Sequence, residues 1–231
     1  MTDGAGPSLP SLITLNQALL AQQLLRGVAH DLRNNLQVVA LGSSLGAESQ
    51  GSAVAVRVER SLEEMVGSLE LLSRLGRSAP DEPAATDIGG AFEEVRVLAD
   101  LQRYVPTLRL RIDPPAEPTV VAAPKAVVQQ MLLNLITNAK EAGSWTTDPV
   151  TLAVTMPMDG RVAMVIEDVG AGMPGDAGTL YFSTKDRGSH GGLGLFVTRA
   201  LAERYGGELR WEPRTGGGTS VRLILPITVR G

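Results

Sequence analysis

The chain has 231 residues, no cysteine and two histidines, with 43% hydrophobic residues, 20% charged residues and a formal net charge of -4. This composition predicts a globular protein and excludes disulfides, thiol catalysis and cysteine-based zinc sites. The negative charge argues against nucleic acid as a partner. Because no apolar run is long enough to span a bilayer, we expect a soluble, cytoplasmic protein without membrane insertion.

The first third of the chain has the pattern of two long helices after a flexible tail at residues 1–10. Apolar residues recur at spacings of three and four between residues 11 and 45, and again between residues 54 and 75. A turn at 46–51 separates the two patterns. They predict an antiparallel helical hairpin over residues 11–77, which would pair with a second copy to form a four-helix bundle. The predicted buried stripe of the first helix includes Leu25, Val28, Leu32, Leu36 and Val39.

His30 is predicted to face away from this buried stripe. It lies two residues from both Val28 and Leu32, which is about 200° around a helix. Arg33 and Asn34 lie on neighbouring turns. Taken alone, the pattern indicates an ordinary solvated surface histidine.

A proline-rich linker at 78–87 separates the hairpin from a mixed domain at 88–231. The pattern predicts helices at 88–102, 124–142 and 193–205. It predicts strands at 107–112, 118–122, 150–155, 161–167, 207–212 and 219–226, several with the alternation of a sheet that has one covered face. The fold class is therefore predicted as α+β. The inward side of the middle helix comprises Val127, Met131, Leu132, Leu135 and Ile136.

Two motifs in this domain could bind a nucleotide and its metal ion. Asn134 and Asn138 lie four residues apart on one helix face, where amide oxygens can help to hold a hydrated Mg²⁺. Asp168 follows an apolar strand and could accept a hydrogen bond from an exocyclic amine. Gly170 and Gly172 would let the backbone approach a flat base closely. Each motif alone is equally typical of a helix cap or an ordinary turn.

A third motif could bind phosphate, and a fourth precedes the last strand. The glycine-rich segment at 182–195 opens a helix, and free N–H groups at such a helix N-terminus bind phosphate. Lys185 would supply a counter-charge. The segment at 216–219 precedes the last strand and, alone, could be a simple hairpin turn.

The order of these motifs resembles the ATP-binding domain of the histidine-kinase, gyrase, heat-shock-90 and mismatch-repair ATPase superfamily, an α/β sandwich of the Bergerat type. Residues 134–142 resemble its N box, 168–172 the first glycine box, 182–185 the F box, 191–195 the second glycine box and 216–219 the last. Residues 11–77 resemble the dimerisation and phosphoacceptor hairpin of sensor histidine kinases, with His30 as the phosphoacceptor.

This resemblance implies a kinase that uses ATP and Mg²⁺ and passes a phosphoryl group from His30 to a response regulator. Asp31 would orient the imidazole or take its proton, and Asn34 would help to place a water that dephosphorylates the partner. Asn138 would bind Mg²⁺. The implied ATP contacts are Asn134, Asn138, Asp168, Gly170, Gly172, Thr184, Lys185, Gly192, Leu193, Gly194, Leu195 and Thr219.

The resemblance also implies partners: a second copy bound through the hairpin, a response-regulator receiver domain and a separate sensor protein. The sequence departs from the family at Asn35, where a proline is usual, and in a short lid that contains His190. The short lid and His190 leave open a histidine phosphotransfer protein with a degenerate nucleotide domain. A hydrolysing ATPase or serine kinase is a third reading, but those relatives have Glu at the position of Asn134.

Overall fold

The structure is a computed structural model that describes residues 7–44, 85–101, 110–142, 150–155, 160–173 and 192–228, together with seven positions between 56 and 73. The helices are α1 (Leu9–Ser44), α2 (Ile88–Leu101), α3 (Lys125–Ala142) and α4 (Leu193–Arg204). The strands are β1 (Thr86–Asp87), β2 (Leu110–Asp113), β3 (Val120–Val121), β4 (Val150–Thr155), β5 (Arg161–Glu167), β6 (Glu208–Pro213) and β7 (Thr219–Pro226).

A five-stranded sheet forms one layer of the domain, in the order β2-β4-β5-β7-β6. β2 and β4 are parallel, and the other neighbours are antiparallel. The predicted alternation is present in β4, where Val150 and Leu152 are buried and the residues after them are more exposed. β1 and β3 form a separate antiparallel pair. The predicted mixed helix-and-sheet fold is confirmed.

Helices α2, α3 and α4 cover the sheet and close the core. The five predicted inward residues of α3 are all buried. α2 begins where Asp87 Oδ2 accepts a hydrogen bond from Gly90 N at 2.8 Å, which caps the first turn. The core side chains with almost no exposed surface include Phe92, Leu98, Met131, Ile136, Leu152, Met164 and Ile166.

Helix α1 packs across the helical layer of this domain. Its buried residues recur every four positions, and they join the same apolar core as α2, α3 and α4. The helix starts at Leu9, so the prediction of a tail through residue 10 was wrong by two residues. It continues through Asn35, where a proline would have been expected to kink it. The buried series is Leu12, Asn16, Leu20, Leu24 and Val28.

The predicted buried stripe of α1 is corrected at two of its members. Leu25 is 49% exposed and Leu36 is 59% exposed, whereas Val28 is buried. Residues that recur every four positions face the domain that contains the five-stranded sheet, whereas Leu25 lies one position after Leu24 and therefore on a different side of the helix. One face of α1 is therefore buried against the domain, and the apolar side chains of Leu25 and Leu36 lie outside that face and are not covered by the described residues.

The second arm of the predicted hairpin is described only in part. The described positions between 56 and 73 are helical and exposed, and they include Glu59, Glu63 and Glu70. The predicted apolar stripe of this helix and the turn at 46–51 lie outside the described residues. The hairpin and its pairing with a second copy therefore stay predictions. No helix in the described ranges combines the length and the apolar character that crossing a bilayer requires.

The element boundaries otherwise follow the predicted ones closely. β4, β5 and β7 coincide with the predicted strands, and α2, α3, α4 and β6 differ by one residue at their ends. β1 falls in the last two residues of the predicted linker at 78–87, because Thr86 and Asp87 pair with Val121 and Val120. Such a short pairing has no local sequence signal, since a distant strand supplies its partner.

Candidate functional site

Asn134 and Asn138 lie one turn apart on α3, as predicted. Asn134 is 3% exposed, and Asn138 is half-buried. The amide nitrogen of Asn134 donates to Asn16 Oδ1 at 2.9 Å and to Thr198 Oγ1 at 3.2 Å. Its oxygen accepts from Asn16 Nδ2 at 3.0 Å. Both amide hydrogens of Asn134 are therefore used by α1 and α4.

Asn16 joins α1 to this site through a buried amide network. Its oxygen also accepts from Gln130 Nε2 at 2.8 Å, and Gln17 Nε2 donates to Gln130 Oε1 at 3.2 Å. On the other side, Thr198 Oγ1 donates to Gly194 O at 2.8 Å. A buried amide is stable only when its polar atoms are paired. The network therefore fixes the register of α1 on α3 and α4.

We expect Asn16→Leu to lower the free energy of unfolding by about 2–4 kcal/mol, because it removes one buried hydrogen bond from Gln130 and two from Asn134. The matched control is Gln22→Leu, which changes an amide to the same side chain on the exposed face of α1. Urea unfolding followed by circular dichroism measures both variants. Equal stability of the two variants would contradict the assigned role of the network.

Asp168 lies at the end of β5 and is 4% exposed. Its Oδ1 accepts a hydrogen bond from Gly170 N at 2.7 Å, and its backbone N donates to Thr219 O at 3.0 Å. Burial raises the pKa of the Asp168 carboxyl, while the N–H groups of Gly170 and Thr219 and the charge of Arg214 lower it. A buried carboxyl with a fixed orientation is suited to accept a hydrogen bond from a base amine.

Glycines at two positions let the parts of the site approach each other. A Cβ on Gly170 would lie 2.6 Å from Ala142 Cβ, so the loop after β5 passes directly against the end of α3. A Cβ on Gly218 would lie 2.0 Å from Asp168 O, so the turn before β7 passes against the same loop. Gly194 is also close to Asn134, since a Cβ there would lie 3.2 Å from Oδ1. The structure therefore brings four predicted motifs together.

The start of α4 supplies the predicted phosphate-binding backbone. Gly192 has φ 78° and begins the helix without a side-chain cap, while Leu193 and Leu195 anchor the first turn in the core. The first backbone N–H groups of a helix have no intrahelical acceptor, and they carry a partial positive charge that attracts anions. This turn lies against Asn134 through Gly194. Thr184 and Lys185, the predicted phosphate contacts of the lid, lie outside the described residues.

His30 is exposed on α1, as predicted. Asn34 Nδ2 lies 3.2 Å from His30 Nδ1, so the two side chains contact each other across one helical turn. The side chain of Asp31 lies outside the described residues. His30 is fourteen residues beyond Asn16 on the same helix, so the structure places it apart from the motifs on α3, α4 and β5.

The site fits a purine nucleotide with its metal ion bound mainly through phosphate. The close packing of Gly170 on Ala142 and of Gly218 on Asp168 holds the loop after β5 in place, so the Asp168 carboxyl has a fixed position from which to accept a base amine. The described residues contain no group of three or more His, Cys, Asp or Glu side chains that could enclose a metal. Mg²⁺ commonly binds through few protein ligands plus phosphates and water. The Asn138 amide oxygen is suited to that role.

Sequence reasoning missed two residues that organise this site. Asn16 had a usable signal, because a polar residue stands within the apolar series Leu12, Leu20, Leu24. Arg214 had none, because its contact with Asp168 O joins residues 46 positions apart.

The comparisons with known proteins agree with this geometry. The family of histidine kinase-, DNA gyrase B-, and HSP90-like ATPases matches residues 124–229. The sensor protein FixL of Bradyrhizobium diazoefficiens is 28% identical over 191 residues, which cover 80% of this chain and 35% of FixL. The sensor protein DegM of a Bacillus species is 28% identical over 220 residues, which cover 94% of this chain and 57% of DegM.

A solved structure also matches the domain. The ATP-binding domain of PrrB from Mycobacterium tuberculosis superposes with a TM-score of 0.51 at 25% identity, and the match covers 64% of this chain and 100% of that one. The chain spans 35% and 57% of the lengths of the two sensor proteins above. Residues 124–229 are therefore similar to the ATPase domain of the histidine kinase, DNA gyrase B and HSP90 type, and most of the chain is similar to parts of the sensor proteins FixL and DegM.

Proposed function

We propose that this chain is the catalytic core of an ATP-dependent protein histidine kinase. It phosphorylates His30 from ATP and passes the phosphoryl group to an aspartate of a response-regulator receiver domain. The observation that carries the proposal is the position of His30: an exposed imidazole, in contact with Asn34, lies on the helix that packs directly on an ATPase-type domain.

The nucleotide would bind between the end of β5 and the starts of α4 and β7. Asp168 accepts the adenine amine, Gly170 and Gly172 approach the base, and Thr219 holds the backbone of Asp168. The phosphates bind the backbone at Gly192, Leu193, Gly194 and Leu195, together with Thr184 and Lys185 of the lid. Mg²⁺, held by Asn138, supplies positive charge that offsets the charge of the phosphates. Because both amide hydrogens of Asn134 are used, its contact with the nucleotide is through its oxygen or follows the release of Asn16.

His30 Nδ1 faces the Asn34 amide, so attack through Nε2 requires the tautomer that carries its proton on Nδ1. In that tautomer the lone pair is on Nε2. Rotation of the Asn34 amide by 180° lets its oxygen accept a hydrogen bond from the Nδ1–H group. The lone pair forms the N–P bond while the P–O bond to ADP breaks and ADP leaves with those electrons. Asp31, next in the chain, would hold the ring or take its proton.

Helix α1 as docked separates His30 from the phosphate-binding turn of its own chain. Fourteen residues of α-helix span about 21 Å, and Asn16 lies beside the Asn134–Gly194 contact. The atoms that react in phosphoryl transfer must approach to about 3 Å. The transfer therefore occurs either between two protomers or after α1 changes its contacts with α3 and α4.

The remaining organisation follows from the same proposal. Residues 11–77 form the dimerisation hairpin and residues 88–231 the catalytic domain, with β1 of the linker attached to the latter. The exposed Leu25 and Leu36 support pairing of the hairpin with a second copy, since large apolar side chains are stabilised by burial. Asn34, which contacts His30, would help to place a water that dephosphorylates the receiver domain. A separate sensor protein would supply the signal.

The source of the phosphoryl group separates this kinase from a phosphotransfer protein that has lost ATP binding. Purified chain is incubated with γ-labelled ATP and Mg²⁺, and in parallel with a phosphorylated receiver domain. We expect labelling by ATP, because the chain has Asp168 and the closely packed glycines Gly170 and Gly218 beside it. Labelling only by the receiver domain would overturn the kinase and establish the phosphotransfer protein.

A further inference from the structure

The turn between β6 and β7 includes the predicted motif at 216–219 and packs against the backbone of Asp168. The turn is closed by Arg214 N, which donates to Gly218 O at 3.2 Å, and by Gly217 N, which donates to Arg214 O at 3.1 Å. Gly218 then contacts Asp168 so closely that a Cβ would not fit. This turn therefore has a fixed position relative to the end of β5.

Arg214 extends from this turn to two consecutive residues of β5 and the loop after it. Its Nη1 donates to Asp168 O at 2.8 Å, and its Nη2 lies 3.4 Å from Glu167 Oε2. The side chain is 30% exposed, so it is less solvated than the other paired arginines of this hairpin, Arg210 and Arg222. A planar guanidinium that bonds two acceptors fixes their relative orientation better than a single ammonium group can.

We propose that Arg214 is a positioning residue that makes the Asp168 pocket selective for adenine over guanine nucleotides. The inference rests on the proposed function, because it assumes that Asp168 receives the base. Arg214 does not contact the base in this account; it acts through the backbone and the charge state of Asp168.

The selectivity follows from the chemistry of the two purines. A carboxylate can only accept hydrogen bonds, so it binds the exocyclic amine of adenine and repels the carbonyl oxygen of guanine at the same place. A protonated carboxyl can donate a hydrogen bond to that carbonyl, and it then discriminates poorly. A guanidinium that keeps Asp168 ionised therefore also keeps the pocket selective.

The charge balance at Asp168 supports this role. Burial raises the pKa of the Asp168 carboxyl, whereas the N–H groups of Gly170 and Thr219 lower it and the positive charge of Arg214 lowers it to a smaller extent. Glu167, the neighbouring carboxylate on β5, is itself paired with Arg214. Removing the guanidinium would therefore raise the pKa of Asp168 further. Binding of adenine nucleotide, which needs the carboxylate, would then decline at a higher pH than in the unchanged protein.

The test measures binding of a fluorescent ATP analogue to the full chain between pH 5 and pH 8, with competition by ATP and by GTP. We expect Arg214→Met to weaken the binding of ATP about tenfold, to reduce the preference for ATP over GTP, and to move the decline of binding to higher pH. Arg214→Lys should restore the pH dependence but only part of the affinity. Arg210→Met, on the exposed and paired arginine of β6, is the matched control and should change none of these.

Three results would overturn the proposal. Unchanged ATP affinity and unchanged preference for ATP over GTP in Arg214→Met would show that Arg214 has no such role. Binding of ATP by the wild-type chain would still support the proposed function. An equal loss of ATP and GTP binding, with no change in pH dependence, would show a merely structural role. Absence of nucleotide binding by the wild-type chain would overturn both this proposal and the proposed function.

Discussion

Replacing His30 with alanine is expected to abolish ATP-dependent labelling of the chain, a loss of at least a hundredfold, which corresponds to about 3 kcal/mol or more in the barrier. The reason is chemical, since the substitution removes the nitrogen that attacks the γ-phosphoryl group. Nucleotide binding should be unchanged, because His30 lies on α1. Asp168 and the closely packed glycines Gly170 and Gly218 belong to other elements. Label incorporation from γ-labelled ATP and binding of a fluorescent nucleotide measure the two properties separately.

The chain supplies a matched control, because His190 is its second and last histidine. At saturating ATP, His190→Ala should keep the label that His30→Ala loses. The opposite pattern would place the phosphoacceptor in the lid. Equal labelling of both variants would place it on a residue other than histidine.

Gly218→Ala should be among the most damaging single substitutions in the nucleotide domain. Its Cβ would lie 2.0 Å from Asp168 O, at a φ of 91° that disfavours any L side chain. Relief of the clash must move the loop that carries Asp168 or separate β7 from β5. We expect a loss of about 3 kcal/mol or more in the free energy of unfolding, together with loss of ATP binding.

Gly216→Ala is the control that isolates the clash from backbone strain. Gly216 has a similar φ of 95°, but a Cβ there meets nothing within 4 Å. It should therefore cost about 1 kcal/mol, the cost of the strained conformation alone, and leave ATP binding intact. Thermal and urea unfolding with nucleotide titration compare the two variants. Equal effects at both positions would mean that the turn does not press on Asp168.

The secondary structure of the domain was predictable because its signals are local. The alternation of β4 and the apolar face of α3 depend on residues within one element, and the predicted ranges of β4, β5 and α3 agree with the observed ones. β1 was missed because its two residues form a strand only through Val120 and Val121. A pattern within one segment carries no information about such a distant partner.

The buried face of α1 could not be chosen from its sequence alone. The helix carries apolar residues on more than one side, and which side is buried depends on the domain it contacts. Leu24 and Val28 contact that domain, whereas Leu25 and Leu36 are exposed. Asn16 belongs to the buried series because Gln130 and Asn134 supply its hydrogen bonds. A buried amide is unfavourable without such partners, so the burial of Asn16 depends on the domain that supplies them.

The candidate site was predictable to the extent that its motifs are short and ordered along the chain. Asn138, Asp168 and the start of α4 lie on elements that the structure brings together, as the resemblance implied. The environment of these residues was not predictable. The amide pairing of Asn134 with Asn16 and the contact of Arg214 with Asp168 both depend on packing between distant segments.

The most direct test of the central claim is the chemistry of the label on the full chain after incubation with γ-labelled ATP and Mg²⁺. A phosphoryl group on an imidazole nitrogen is labile in acid and stable in alkali, whereas serine and threonine phosphates survive acid. We expect a label that is lost in acid, survives alkali and maps to the peptide containing His30. An acid-stable label, or release of inorganic phosphate with no label on the chain, would contradict the claim that this protein is a histidine kinase.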